Sequence, residues 1–562
     1  MSADSDHFCG SVVLNAVQQG SDAAVFFRGY LTNQTELAER LGLDNAADRC
    51  SVDVIGECYK RWGRAMLGML DGQFALVIAD RTTGDVLLTH DALGVVPLYW
   101  SLKADTVRFA TRVRDLVDST TRQALNLKEV RRFILFGAVS DETVYSAIRR
   151  LQPGMSLWIH NGKIAREVQW EPRSLKSIAY KRSHDYVEHF LDLVHQSVRG
   201  ALRNCQSGWI ALSGGLDSNT LLPPALKCCP GLRAYSIVAP QWPEEDESNW
   251  IRRTVAANGL PWRPINAEEV LPFSEFPKGF CGGPDTGVIH QGFRSALNSI
   301  VGANVLLTGD GGDSFMGSQM GPVPSHLADP IFKGDLSGAV RELNDWREQS
   351  KPARSKAYWL FHGLMLPVLR HFLRRNVRAP HYHLHPTWLR FGRRLNLSSR
   401  APQPRSIAPR CRTPGQQAIL DDLWQCAEDP VFDRVYSSRH PLFCRPIFEF
   451  LWAIPWSQKH LPLCDRYIER RALKGFVDDD MRTRISLGLG TRAFVEGLRR
   501  SKQWQDYLCE GPEMAKLGLV DAEKWRQAIQ QASAGQTKAE PLLVRAIGVE
   551  VWLKQLLQFR PA

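Results

Sequence analysis

The stretch Ser213-Gly214-Gly215-Leu216-Asp217-Ser218 is the part of this sequence best suited to chemistry. It follows an apolar run, Trp209-Ile210-Ala211-Leu212, that predicts a strand, and it precedes a helix expected from about Asn219. Two adjacent glycines let the backbone approach a phosphate, and a helix N-terminus adds unpaired N–H groups and the positive end of its dipole. Ser213 and Ser218 can add hydroxyl donors. Asp217 would repel a phosphate unless a cation stood between them, which points to Mg²⁺. A second Gly-rich stretch, Thr308-Gly309-Asp310-Gly311-Gly312-Asp313, follows the apolar Asn304 to Leu307. Two carboxylates on a loop at a strand's carboxyl end suit a hard cation or an amine. His381, His383 and His385 alternate as metal ligands on one strand face would, but their polar, Pro-flanked setting assigns them to the surface.

The surrounding elements must present these loops. Helical spacing over Tyr186 to Leu202 is followed by the strand Trp209 to Leu212. A strand (Arg233 to Val238), a helix (Glu247 to Ala257), a strand (Trp262 to Ile265) and the strand Asn304 to Leu307 come next. Such alternation predicts a mostly parallel sheet with its ligand beyond the carboxyl ends of the strands. The first 170 residues differ. Phe74 to Ala79, Val86 to Thr89, Val107 to Ala110 and Met155 to Ile159 predict strands of a sheet-rich domain, and a polar linker is expected over 171–184. Residues 416–562 are expected to be mainly helical.

Composition narrows the class. At 44% hydrophobic residues in 562, the chain is globular and too long for one ordinary domain. Twelve scattered cysteines without a C-x-x-C pair argue against zinc ribbons and for a reducing, cytoplasmic setting. The N-terminus lacks the features of a secretory signal. The most apolar stretch, Tyr358 to Leu369, is too short to span a bilayer. The net charge of +11 is local. Residues 351–415 hold 14 Lys and Arg and no Asp or Glu, and the rest of the chain carries 56 basic against 59 acidic residues, a net of −3. That distribution speaks against a specific nucleic-acid binder. It suggests either one docking surface, for an acidic precursor, a protein partner or a peripheral membrane contact, or a solvated loop.

With these motifs in place, the chain resembles the asparagine synthetase and β-lactam synthetase superfamily. Ser213 to Ser218 is similar to the SGGxDS loop of N-type ATP pyrophosphatases, and Leu307 to Asp313 to the family's second loop. Leu70-Asp71-Gly72-Gln73-Phe74-Ala75, His90 to Tyr99, Phe109-Ala110-Thr111 and Leu151-Gln152-Pro153-Gly154 resemble motifs of its amidotransferase half. The resemblance implies an α/β and α+β chain. An Ntn-hydrolase-like sandwich, a class II glutamine-amidotransferase remnant, is expected over 1–170. An adenine nucleotide α-hydrolase-like synthetase domain is expected over 185–562, with the basic insertion at about 351–415.

The departures carry function. The family's glutaminase nucleophile is an N-terminal Cys, but residue 2 is Ser2, and Cys9 has no free α-amine. Arg28 stands at the first Asn of the oxyanion-hole motif, and the 18 residues between Gly10 and Gly29 are too few for the substrate loop. Glutamine hydrolysis is therefore not expected. Asp310 takes the place of the catalytic Tyr of β-lactam synthetase, and Ser437 that of a family Glu. Arg484 to Gly488 has no Lys where the family has its catalytic one. A degraded amidotransferase half joined to an intact pyrophosphate loop is similar to lasso-peptide cyclases, as is His440 to Glu449.

That resemblance implies an ATP-dependent, AMP-forming ligase. It would activate an Asp or Glu side chain of a precursor peptide and close a macrolactam with the peptide's N-terminal amine. A leader-binding protein and a protease of the same pathway are the implied partners. An amide synthetase acting on a small carboxylate and a non-catalytic adenylate- or peptide-binding protein are the alternatives. The implied roles are nucleotide binding for Leu212, Ser213, Gly214, Gly215, Asp217, Ser218, Val238 and Gly309, and Mg²⁺ binding for Asp217 and Asp313. Asp310 would orient or deprotonate the amine, and Arg484 or Arg492 would replace the missing Lys.

Overall fold

The computed structural model describes residues 9–13, 23–45, 48–137, 141–160, 162–172, 175–316, 324–349, 354–372, 386–391, 413–417, 419–420, 437–484, 491–536 and 540–559. His381, His383, His385 and most of the basic insertion lie outside them.

The N-terminal half contains β1 (Cys9–Val13), β2 (Ala24–Leu31), β3 (Gly72–Ala79), β4 (Val86–His90), β5 (Tyr99–Lys103), β6 (Thr106–Ala110), β7 (Arg149–Arg150), β8 (Met155–His160) and β9 (Lys163–Val168). They form two antiparallel sheets, ordered β2-β3-β4-β8-β9 and β1-β6-β5-β7. β3 and β4 are buried along their whole length, which is why their sequences are nearly continuous apolar runs. Side chains of β3 alternate between two cores. Ala75, Val77 and Ala79 join Leu88, Trp100, Val107 and Phe109 between the sheets. Phe74, Leu76 and Ile78 meet Val54, Ile55 and Cys58 of the helix Ser51–Trp62 on the outside. The result is a sandwich with a helical layer, as expected.

The turn after β4 is built around one buried carboxylate. Asp91 Oδ1 accepts the N–H groups of Leu93 and Val95, both at 3.1 Å. Its Oδ2 accepts those of Phe74 and Val96, both at 3.2 Å. One side chain thus satisfies several main-chain donors and ties the turn to β3.

The second half holds a parallel sheet of β10 (Ser207–Ala211), β11 (Gly231–Val238), β12 (Trp262–Asn266), β13 (Val305–Leu307) and β14 (Ser437–Arg439), ordered β12-β11-β10-β13-β14. Helices α1 (Ser183–Ala201), α2 (Leu216–Cys228), α3 (Ser248–Ala257) and α4 (Gln291–Val301) cover it. Ile210 and Ala234 face Val194, Val198, Leu221 and Leu222 of α1 and α2. Trp209, Tyr235 and Leu306 face Leu297 and Val301 of α4. The chain leaves β10 outward through β11 to β12, then returns on the other side of β10 as β13. A crevice therefore opens beyond the carboxyl ends of β10 and β13, where the strand order reverses. α2 begins at Leu216, three residues before the expected Asn219. Gly215 is extended (φ −84°, ψ 171°) and caps it, so the chain enters the helix directly from the second glycine.

The halves are joined by polar contacts and a shared core. Arg445 pairs with Asp71 at 2.5 Å, and Trp170 Nε1 donates to Glu449 at 2.6 Å. Trp552 of the C-terminal helix Glu540–Gln558 donates to the Tyr145 hydroxyl at 3.0 Å. Apart from β14, the described elements after residue 416 are helical, as expected. Among the described residues, no helix is long and apolar enough to cross a membrane.

Asp91→Ala leaves buried main-chain donors without their acceptor and should cost about 3 kcal/mol of stability. Urea unfolding of the full chain measures this, and an unchanged midpoint would show that the carboxylate does not hold the turn.

Candidate active site

The loop after β10 is a compact hydrogen-bonded turn. Ser213 N–H donates to Ser218 Oγ at 3.1 Å, and Gly215 N–H donates to Ser213 Oγ at 3.1 Å. The Asn219 side-chain amide donates to the carbonyls of Ser213 (3.2 Å) and Gly215 (2.7 Å). The two serines therefore shape the loop through their hydroxyls.

An internal anion sits on this loop. Gly214 N–H donates to Glu247 Oε2 at 3.0 Å. Arg484 reaches both partners, with Nη2 2.5 Å from Glu247 Oε1 and 2.6 Å from the Gly214 carbonyl. Glu247 is the residue before α3, at the end of the segment that leaves β11. A Cβ on Gly214 would stand 2.8 Å from Arg484 Nη2 and 2.9 Å from Glu247 Cβ, so glycine is required for this closeness.

The loop after β13 closes against the first. A Cβ on Gly309 would lie 2.9 Å from Asp217 Cβ and 3.0 Å from Ser218 N, and one on Gly312 would overlap the Asp217 carboxylate. Gly311 takes φ +97°, a conformation glycine adopts without strain. Asp310 reaches outward with half its side chain exposed. Thr308 Oγ1 donates to its Oδ2 at 2.8 Å, and His440 Nδ1 lies 3.1 Å from the same oxygen.

Arg466 completes the junction. It holds Asp217 Oδ2 at 3.2 Å although its own backbone is left-handed (φ 49°, ψ 40°). Arg470 braces the same segment by pairing with Asp465 at 2.6 Å and donating to the Arg484 carbonyl at 3.0 Å.

Most of the expected residues are gathered here. Ser213, Gly214, Gly215, Asp217, Ser218, Gly309, Asp310 and Arg484 share the crevice. Leu212 is buried below the loop, its carbonyl held by Ser236 Oγ, and Val238 closes the end of β11 beside it. Arg492 is not brought to the loop. Its described contacts are Glu244 at 3.5 Å and the Trp242 ring. Asp313 falls in the helical turn Gly312–Phe315, with its side chain outside what is described, as are residues 485–490. Sequence reasoning did not assign Glu247, Arg466, Thr308 or His440 to the site. Glu247 could have been suspected as an acidic residue just beyond the carboxyl end of a central strand. Asp465-Arg466 is one of the stretches similar to lasso-peptide cyclases, but nothing local shows that Arg466 reaches Asp217.

Residues 189–554 match the family model described as asparagine synthase, and residues 16–170 match that of a glutamine amidotransferase domain. The chain belongs to the asparagine synthase family. Among curated relatives, asparagine synthetase [glutamine-hydrolyzing] 1 of Bacillus subtilis is 24% identical over 45% of this chain and 40% of its own. Amidase chry2 of Gibberella zeae is 22% identical over 54% of this chain and 48% of its own. The chain thus spans about half the length of these relatives. A glutamine phosphoribosylpyrophosphate (PRPP) amidotransferase structure from B. subtilis matches at 14% identity, covering 52% of this chain and 55% of that one. Its TM-score of 0.20 is too low to bear on fold or function.

The residues fit the ATP and Mg²⁺ that the family implies. Gly214 already holds an anionic oxygen, and Gly309 and Gly312 leave no room for side chains around Asp217. No group of three or more metal-ligating side chains exists among the described residues. Mg²⁺ bound beside phosphates needs only one or two protein carboxylates, and Asp217 is in place to be one.

Gly309→Ala forces its Cβ into the Asp217 and Ser218 backbone and should weaken ATP binding at least about tenfold. Calorimetric titration with ATP and Mg²⁺ measures the loss. An unchanged affinity with intact circular dichroism would mean that nucleotide binds elsewhere.

Proposed function

We infer that this chain is an AMP-forming carbon–nitrogen ligase that joins a carboxylate to an amine. The observation that carries this reading is the meeting of a phosphate-type loop with an exposed carboxylate, Asp310, at one crevice of a parallel sheet. Hydroxide is a poor leaving group, and ATP supplies the adenylyl group that makes a carboxylate oxygen a good one. The protein's part is positioning and charge. Gly214 N–H and the N-terminus of α2 bind phosphate oxygens, and Arg484 stands where negative charge develops. Its guanidinium stabilises charge without giving up a proton, so it does not serve as the proton carrier a lysine could be. Asp310 offers the attacking amine an acceptor.

Two substrates fit this chemistry. The relative from B. subtilis is named as an asparagine synthetase, which favours a small carboxylate such as aspartate. Macrolactam closure on a precursor peptide rests on the degraded amidotransferase motifs, on Arg28, and on the His440 to Glu449 stretch. In that case the basic residues of 351–415 would dock an acidic precursor, and a leader-binding protein and a protease would act with the enzyme. In either case Arg28 and the short Gly10 to Gly29 interval favour an amine that does not come from glutamine.

Purified protein with ATP and Mg²⁺ is expected to release AMP and pyrophosphate only when its carboxylate is present. Aspartate with ammonium, and short peptides encoded beside the gene, are the two probes. Asparagine identifies the small-carboxylate synthetase, whereas a peptide product lighter by one water identifies cyclisation. ADP and inorganic phosphate as products would refute the AMP-forming reading.

A further inference from the structure

The N-terminal half reaches the amine side of the crevice through one side chain. Gln73 lies on β3 and is buried, with 2% of its surface exposed. Its Nε2 donates to the carbonyls of His440 (2.7 Å) and Phe443 (3.1 Å), and its Oε1 accepts the His440 N–H at 3.2 Å. One amide therefore makes three hydrogen bonds to the turn after β14. That turn aims the imidazole of His440, itself buried, at the second loop. Its Nδ1 is 2.6 Å from Thr308 Oγ1 and 3.1 Å from Asp310 Oδ2.

The proton positions follow from the donors available. Thr308 has one hydroxyl hydrogen, and it goes to Asp310 Oδ2. The 2.6 Å contact then requires Nδ1 to donate to Thr308 Oγ1, so His440 carries a proton on Nδ1. Asp310 is held by its Oδ2 while half its side chain stays exposed.

We propose that Gln73 and His440 are positioning residues for amide formation, fixing Asp310 as the acceptor for the attacking amine. The proposal rests on the ligase reading above. In the step concerned, the amine nitrogen bonds to the activated acyl carbon, and the bond from that carbon to its AMP oxygen breaks. AMP leaves with the electron pair, and the proton lost by nitrogen goes to Asp310 and then to solvent. The N-terminal half thus has a part in the synthetase reaction that does not depend on glutamine hydrolysis.

His440→Leu removes the Nδ1 donor, whereas His440→Asn can place an amide N–H near the same point. With whichever probe of the preceding section is turned over, His440→Leu and Gln73→Leu should slow amide formation about tenfold or more. Pyrophosphate exchange into ATP, which reports activation alone, should change less than about threefold for both. His440→Asn should restore most of the amide rate. Equal loss in the two half-reactions, or no rescue by asparagine, overturns the proposal. A second measurement needs no substrate. The ¹⁵N spectrum of histidine-labelled full chain should show the His440 ring protonated on Nδ1, with a shift that changes in Asp310→Asn and Gln73→Leu. An Nε2–H ring, or a signal indifferent to both substitutions, overturns the proposal even if neither probe is turned over. Failure of both probes together with the expected spectrum instead counts against the ligase reading.

Discussion

The two glycine-rich loops touch with no space for a side chain between them, and the crevice depends on that contact. Asp217, in the first turn of α2, is packed against Gly309 and Gly312 of the neighbouring loop. The contact is possible because β10 and β13 are parallel neighbours whose carboxyl ends open on the same side. The parallel sheet, the reversal of strand order at β10 and the early start of α2 all serve to bring these few atoms together. A methyl group at either glycine would push the loops apart, and with them Asp217 and Asp310.

Charge is arranged around this contact in pairs. Arg466 faces Asp217 and Arg484 faces Glu247, each largely withdrawn from solvent. Burying ions is costly unless each has a partner, so removing one member would weaken the pairing of the other. The left-handed backbone of Arg466 is a local cost of reaching Asp217. Arg470, bonded to Asp465 and to the carbonyls of Arg482 and Arg484, ties both arginine-bearing segments to one anchor.

Much of this was legible in the sequence. The strands of the sandwich showed as apolar runs because β3 and β4 are covered on both faces. The Ser213 to Ser218 loop was legible because a short peptide, in contact with itself, makes the whole turn. What was not legible is what comes together from far apart in the chain. Gln73 and His440 are separated by 367 positions, and no periodicity or propensity couples them. Each belonged to a recognisable motif, but their contact is a property of the domain interface. The pattern places the start of α2 at about Asn219, three residues late, because an extended glycine such as Gly215 is itself a cap. In sequence, Arg484 and Arg492 are equal candidates because both lie near Gly488 and Gly490. Arg484 lies at the phosphate loop, while Arg492 faces Glu244 on the rim.

The carboxylate of Glu247 has a consequence for how tightly anything else can bind. A loop that carries its own anion is never a bare set of donors. A phosphate that took the Gly214 N–H would have to exchange places with the Glu247 carboxylate. Affinity at Gly214 is therefore a difference between two occupants rather than the full strength of its hydrogen bonds. On the ligase reading proposed above, such a loop would release pyrophosphate more readily than its geometry alone suggests, with Arg484 returning to the protein's own anion.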